Sequence, residues 1–217
     1  MEIDQPTVIR VAHLPGSPCR IDALATPVVR VYEFRVQEGY QWVAPVNDAD
    51  FERFLSLDGT PRLEDWTPVR MTLIVEDGDG SPLLPSDLPW LGEHAPVFRD
   101  TAAKIFGPVL SGFGELLPLA CDDAQLAAFN ATTVIDALDI ERSSIVRLPS
   151  SGRIVKVNSF AFRADLLTGV IAFKVPQLLR YSVFVADEIP AACEAANLRG
   201  AGFRLLWDSK ASAQPTF

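Results

Sequence analysis

An α+β fold is predicted, built mostly from short antiparallel strands with about three helices. The first observation is that segments with strand character are short and bunched, without the regular strand–helix alternation of a doubly wound parallel sheet. The second is that 48% of the 217 residues are hydrophobic, which is enough for one sizeable core. The sequence therefore predicts a single compact domain over residues 27–207, with an irregular N-terminal arm or small lobe (residues 1–26) and a C-terminal tail (residues 208–217).

The strands are predicted from runs that are rich in β-branched and aromatic residues. VRMTLIVE (residues 69–76) is the clearest, because Val69, Met71, Leu73 and Val75 are expected on one face and polar residues on the other, as in a half-buried strand. Pro118 places the GELLPLAC segment at the edge of a sheet or in a bulge. The predicted strands span residues 28–36, 69–76, 114–121, 153–163, 170–175, 181–186 and 203–207.

The first of three predicted helices lies within residues 47–59. Asn47 or Asp48 is expected to accept backbone N–H groups at its start, and Gly59 is expected to end it. Its apolar face consists of Phe51, Phe54 and Leu55.

The other two helices are predicted over residues 99–110 and 187–200. In the earlier one, Asp100 is expected to cap the N-terminus. Pro108 is expected to end or kink that helix near Phe106, because proline has no N–H to donate.

Charge is distributed unevenly along the chain, whose net charge is −9. Residues 47–146 carry 18 acidic and 6 basic residues, whereas residues 147–217 carry 5 acidic and 9 basic residues. An acidic protein lacks the Lys and Arg that neutralise phosphates, so nucleic acid and anionic membranes are poor partners. A negative middle third favours the encounter with a basic protein. The alternative is that these acidic residues only form a solvated surface without a partner.

Neither the cysteines nor the hydrophobic runs indicate secretion. Cys19, Cys121 and Cys193 lie far apart and form no CxxC pair, so a disulfide framework or a structural zinc site is not expected. The chain begins MEIDQPTVIR, without the apolar stretch of a signal peptide, and no apolar run is long enough for a membrane span. We therefore expect a cytoplasmic protein.

No catalytic, cofactor-binding or metal-binding set is recognisable in the sequence. The two histidines, His13 and His94, do not accompany a Ser or Cys in a nucleophile motif. The glycine-rich pieces match neither a phosphate loop nor a dinucleotide fingerprint. EDGDG (residues 76–80) has the acidic spacing of a calcium loop but lacks the closing Glu of an EF-hand, so a hairpin turn is predicted there.

The segment NATTVIDALDIERSS (residues 130–144) concentrates side chains that are able to do chemistry. Asp136 and Asp139 are three residues apart, so on a helix they would share a face and offer an acid and a base to a hydrolase. Residues of these types also bond to neighbouring backbone and fix turns, and Asp139 is placed to pair with Arg142. Turn formation, partner contact and catalysis all stay open for this segment.

Trp90, in a loop between prolines, either anchors a partner or covers the core. The candidates for partner binding are Asp77, Asp79, Asp87, Trp90, Asp136, Asp139, Glu141 and Arg142.

The chain contains, in order, the segments SDLPWL, PVF, GELLPL, FNATTVIDALDIERS, GRI, VFVADEI and GAGFRLLW. Over roughly residues 30–207, this order resembles a bacterial family of polymorphic-toxin immunity proteins, the eleventh in its numbering and formerly a domain of unknown function. FNATTVIDALDIERS is the most specific segment because of its length. Ala131 and Thr132 are a mild departure from the Val-Thr pair that usually follows the Asn.

The resemblance implies a protein that is encoded beside a toxin and blocks that toxin by binding it, without catalysis or a cofactor. Because a motif shared by proteins that meet different toxins is expected to be structural, we expect the toxin to contact the acidic loops at residues 47–65 and 76–80. The alternatives are an accessory adaptor or oligomeric module, with a homodimer among its forms, and the carboxylate-dependent hydrolase. The family motif is matched by Trp90, Glu115, Asn130, Asp136, Asp139 and Ser143.

Overall fold

A computed structural model describes residues 28–211 of the chain. Within that part the chain forms eleven strands and three α-helices, and the predicted α+β class is confirmed. The predicted N-terminal arm, residues 1–26, lies outside the described residues, as do residues 212–217 of the predicted tail.

The helices are α1 (Phe51–Leu55), α2 (Asp100–Leu110) and α3 (Glu188–Ala195). The strands are β1 (Arg30–Arg35), β2 (Trp42–Pro45), β3 (Met71–Ile74), β4 (Val97–Arg99), β5 (Gly114–Leu119), β6 (Leu126–Ala131), β7 (Ser144–Arg147), β8 (Ile154–Ser159), β9 (Ala172–Phe173), β10 (Phe184–Val185) and β11 (Gly202–Asp208).

A four-stranded antiparallel sheet, with the strand order β11-β1-β10-β9, separates two hydrophobic cores. Successive side chains of a strand point to opposite faces, so on β1 Val31 enters the first core and Phe34 enters the second. The aromatic residues of the first core are Phe160, Phe162, Phe173, Phe184 and Trp207. The second core contains Ala102 and Phe106 of α2, Ile189 and Cys193 of α3, and Phe98 of β4.

A third core lies beneath α1, where the three-stranded sheet β4-β6-β5 and the β2-β3 pair meet. Phe54 of α1 and Leu57 just after it are 0% and 1% exposed, so they anchor this stretch of chain. Strand β6 serves two cores, because Ala128 faces the third core and Phe129 faces the second. No helix in the described part of the chain combines the length and the apolar composition that crossing a membrane requires.

The expected cap of α2 and its expected end near Phe106 are both wrong. The side chain of Asp100 does not cap the helix; its Oδ1 accepts instead from the N–H of Gln125 at 3.2 Å. The helix does not end before Pro108 but continues to Leu110. A proline this close to the C-terminus removes one donor from a turn that is about to end, so the cost is tolerated.

Lys174, next to the end of β9, is a buried charge inside the fold. Its Nζ donates to the carbonyl oxygen of Leu179 at 3.0 Å. Burial lowers the pKa of Lys174 from 10.5 to about 8, and the carboxylate of Asp58 opposes this shift.

Replacing Lys174 by Met should therefore change how stability depends on pH. Between pH 8 and 10.5 the unfolded chain keeps the proton on Lys174 while the folded chain releases it, so the free energy of unfolding of the parent rises with pH in this window. We expect the free energy of unfolding of Lys174→Met to exceed that of the parent near neutral pH, and this excess to shrink by on the order of 2–3 kcal/mol across the window. Urea unfolding of both proteins at several pH values measures the difference, and a difference that is constant with pH would contradict the assignment.

Candidate functional site

Asp139 fixes a tight turn in the segment that concentrates polar side chains. Its Oδ1 accepts from the backbone N–H groups of Glu141 and Arg142, at 3.2 and 3.1 Å. Its carbonyl oxygen accepts from the N–H of Ser143 at 3.0 Å. Oγ of Ser143 accepts in turn from the N–H of Ala161 at 3.0 Å. Of the alternatives open for Asp139, the geometry supports turn formation.

Asp136 makes contacts of its own. Nε2 of Gln177 donates to its Oδ1 at 2.6 Å, and Nη2 of Arg163 lies 3.1 Å from its Oδ2. The hydrogen bond from Gln177 and the contact with Arg163 hold the pKa of Asp136 below its ordinary value. A general acid needs a raised pKa, and Asp136 and Asp139 share no partner. The geometry therefore lends no support to the acid–base pair of a hydrolase.

The remaining acidic candidates divide into bound and free side chains. Oδ1 of Asp77 accepts from the N–H groups of Asp79 and Ser81, at 3.0 and 2.9 Å, and closes the predicted hairpin turn. Oδ2 of Asp87 accepts from the N–H of Arg199 at 2.8 Å and ties two loops together. Asp79 and Glu141 are exposed, and so is Arg142, whose Nε lies 3.7 Å from Oδ2 of Asp139 in the expected ion pair.

Trp90 covers the second core. Its side chain is partly buried against the residues of that core. Its carbonyl oxygen accepts from the N–H of Val43 on β2 at 2.9 Å, which fixes the loop to the strand. Of the two interpretations of Trp90, the structure supports the lid over the core.

Five carboxylates within residues 48–65 likewise form no ion pair with any residue of 28–211, and unlike Asp79 and Glu141 they are concentrated in one short stretch of chain. Both arginines of the same stretch have internal partners. Arg53 stacks over the ring of Trp66, 4.6 Å from its centroid. Arg62 lies 3.6 Å from Asp58. The five carboxylates are Asp48, Asp50, Glu52, Glu64 and Asp65.

Apolar side chains are exposed among these carboxylates. Phe51 and Leu55, one helical turn apart on α1, are 38% and 40% exposed, and Leu63 is 50% exposed. Apolar and aromatic side chains surrounded by charged groups are typical of the core and rim of a protein interface. We name the exposed side chains of residues 48–65 the acidic face.

The carboxylate of Glu115 on β5 holds the acidic face against the sheet. Its Oε1 accepts from the backbone N–H groups of Arg62 and Leu63, the latter at 3.1 Å, and from Nδ2 of Asn130 at 2.8 Å. Asn130, fully buried on β6, also donates to the carbonyl oxygen of Thr60 at 3.0 Å. Two residues that match the family motif therefore act together as a scaffold.

Gly59 allows the acidic face to lie close to the 130–144 segment. Its φ of +96° is in the region that favours glycine, and an added Cβ would lie 2.6 Å from Cγ2 of Val134. A larger residue at this position would be strained and would displace the loop.

The sequence analysis expected residues 47–65 to be one of two acidic contact loops, but it did not predict that apolar side chains are exposed there. Phe51, Phe54 and Leu55 were expected to share a buried face, whereas only Phe54 is buried. The apolar spacing of a helix this short does not distinguish residues that pack inward from residues that meet a partner.

Within residues 28–211, no group of three or more His, Cys, Asp or Glu side chains is placed to hold a metal ion. His94 is partly buried, and burial lowers the pKa of its imidazole below the ordinary value. Comparison of the sequence with protein-family models and with curated proteins gives no match. The family resemblance remains a prediction from sequence motifs.

Replacing Glu115 by Ala should loosen the acidic face. The N–H groups of Arg62 and Leu63 lose their acceptor, so we expect a loss of about 1–3 kcal/mol in the free energy of unfolding and faster hydrogen exchange at these two amides. Glu64→Ala is the matched control, because Glu64 is exposed without an ion pair in the described chain, and should change stability by no more than about 0.5 kcal/mol. Unchanged exchange at Arg62 and Leu63 in Glu115→Ala would contradict this role.

Proposed function

We propose that this protein is an immunity protein that binds a basic cognate toxin through the acidic face and occludes the toxin's active surface without catalysis. The family resemblance supports the biological role, and the acidic face supports the mode of binding. Since the resemblance implies protection of the cell that makes the toxin, the proposed meeting place is the cytoplasm of that cell.

The observation that carries this proposal is the set of carboxylates that form no ion pair with any described residue and lie around exposed apolar side chains. Carboxylates that are not neutralised internally attract a basic partner and raise the rate of encounter. They also occupy a cationic cleft in the way that the phosphates of a substrate would. Phe51, Leu55 and Leu63 supply apolar area that excludes water once contact is made.

The acidic face is also preorganised for binding. Phe54 and Leu57 are inserted into the third core, and Glu115 fixes the backbone of Arg62 and Leu63. A segment that is ordered before contact loses little conformational entropy on binding, so more of the contact energy appears as affinity. This supports a mechanism of occlusion by a rigid surface.

Removing four charges from the acidic face should slow association with the polypeptide encoded by the adjacent gene. The variant combines Asp48→Asn, Glu52→Gln, Glu64→Gln and Asp65→Asn. We expect its association rate constant at low salt to fall by on the order of tenfold or more, and the dependence of that rate on salt to weaken, because electrostatic steering is lost. Stopped-flow or surface-plasmon measurements at two ionic strengths give both quantities.

The control for this variant removes four exposed charges elsewhere, at Glu38, Asp165, Glu188 and Glu194, and should keep most of the steering. If both variants slow association equally, net charge rather than the acidic face governs the encounter. If the parent protein forms no complex with the adjacent gene product, the immunity proposal fails and the adaptor or oligomeric module becomes the better interpretation.

Phe51→Ser tests the apolar part of the acidic face. We expect the complex to dissociate at least about tenfold faster, because a buried aromatic anchor is lost, while association changes little. Leu166→Ser is the matched control, since Leu166 is 40% exposed and Phe51 is 38% exposed. Dissociation rates that are equal in the two variants would remove Phe51 from the interface.

A further inference from the structure

A second charged surface lies in a cleft of about 490 Å³ that is lined by residues of β1, β8 and β11. Three basic side chains line it: Arg35 on β1, Lys156 on β8 and Arg204 on β11. Asn158 and Tyr181 add polar groups to the wall. The proposed function makes no use of this cleft.

Glu33 holds the two arginines of the cleft in place. Glu33 and Arg35 are two residues apart on β1 and therefore face the same side, and Arg204 stands directly opposite Glu33 on β11. Oε1 of Glu33 is in ion-pair contact with Nη2 of both arginines, and the Glu33 side chain is 1% exposed. One buried carboxylate thus orients the guanidinium groups of two arginines whose side chains are 38% and 50% exposed.

Most hydrogen-bond donors of these arginines have no partner in the described part of the chain. A guanidinium carries five N–H donors, and Arg35 and Arg204 each use one nitrogen on Glu33. Lys156 is exposed and forms no ion pair within residues 28–211. The cleft therefore presents fixed cationic donors without matching acceptors.

The carboxylates near the cleft do not cancel its positive charge. Burial raises the pKa of Glu33 above its ordinary value although Arg204 and Arg35 oppose the shift, and the nearby Glu93 raises it further. Counting Glu33 and Glu93 as fully ionised still leaves three basic groups against two acidic ones.

We propose that this cleft binds a small oxyanion, whose carboxylate or phosphate group is held by Arg35, Arg204 and Lys156. Fixed guanidinium groups recognise planar carboxylates and phosphates through paired hydrogen bonds, and the volume is typical of small-molecule sites. The ligand is a free anion rather than an acidic protein surface, because the donors line an indented cleft and not a flat patch. This site is independent of the acidic face and of the proposed function.

A purely structural role for the arginines is the competing explanation, since they also neutralise Glu33. That explanation gives no role to Lys156, which forms no ion pair with Glu33. Lys156→Gln therefore separates the two explanations without disturbing the buried carboxylate.

The experiment is isothermal titration calorimetry of the full chain with citrate and, separately, with inorganic phosphate, at constant ionic strength. We expect one saturable site for at least one anion, and the comparison of the two shows whether the site prefers carboxylate or phosphate. Lys156→Gln and Arg204→Gln should each weaken binding on the order of tenfold, the effect of one charge-assisted hydrogen bond. Arg70→Gln removes an exposed guanidinium outside the cleft and should leave binding unchanged.

The absence of saturable binding of both anions by the parent protein up to about 10 mM would overturn the proposal. Equal weakening in Lys156→Gln, Arg204→Gln and Arg70→Gln would overturn it too, since it would show diffuse charge without a site. If Arg204→Gln unfolds, Lys156→Gln decides alone: weakened binding supports the oxyanion site and unchanged binding contradicts it. The same titration with a glutamate hexapeptide tests an acidic peptide as the ligand. If the peptide binds and neither citrate nor phosphate does, the cleft recognises an acidic peptide and the proposal of a small anion is contradicted.

Discussion

The arrangement of the acidic face depends on the carboxylate of Glu115. This one group accepts hydrogen bonds from the backbone N–H groups of Arg62 and Leu63 and from the side-chain amide of Asn130. It thereby joins the 48–65 stretch to β5 and β6. Phe54 fixes the same stretch from below by entering the third core. A surface fixed at both points presents its charges in an ordered arrangement, so it loses little conformational entropy when it binds a partner.

The two charged surfaces are attached to different cores. The acidic face rests on the third core through Phe54, whereas the Glu33 cleft lies beside the first core, on the same side of β1 as Val31. The uneven charge along the sequence thus corresponds to distinct parts of the fold, because the acidic middle third contains α1 and the basic final third contains β8 and β11. Charge separated in this way gives the protein one surface rich in carboxylates and one rich in basic side chains.

Strong local patterns made part of this fold predictable. The alternation in VRMTLIVE predicted β3, and Val69, Met71 and Leu73 are buried as expected. The same expectation for Val75 is wrong, because β3 ends at Ile74 and Val75 is 48% exposed. Strand β6 was not predicted, because LAAFNA has neither alternating polarity nor β-branched residues, and its burial on both faces comes from cores built elsewhere in the chain. The burial of Glu33 and Lys174 could not be predicted from the sequence either, since the residues that surround them are distant in sequence. Of the candidate site residues, Asp77 and Asp139 bond to neighbouring backbone N–H groups, a local role that Asp often has in turns. Asp87 bonds to the N–H of Arg199, far away in sequence, which no local pattern predicts.

The most direct test of the central claim is a hydrogen-exchange footprint of the chain, alone and mixed with the polypeptide encoded by the adjacent gene. Binding through the acidic face predicts that amides within residues 48–65 gain protection while those of residues 130–144 exchange as in the free protein. Protection confined to residues 130–144, or none anywhere at saturating partner, would contradict the account.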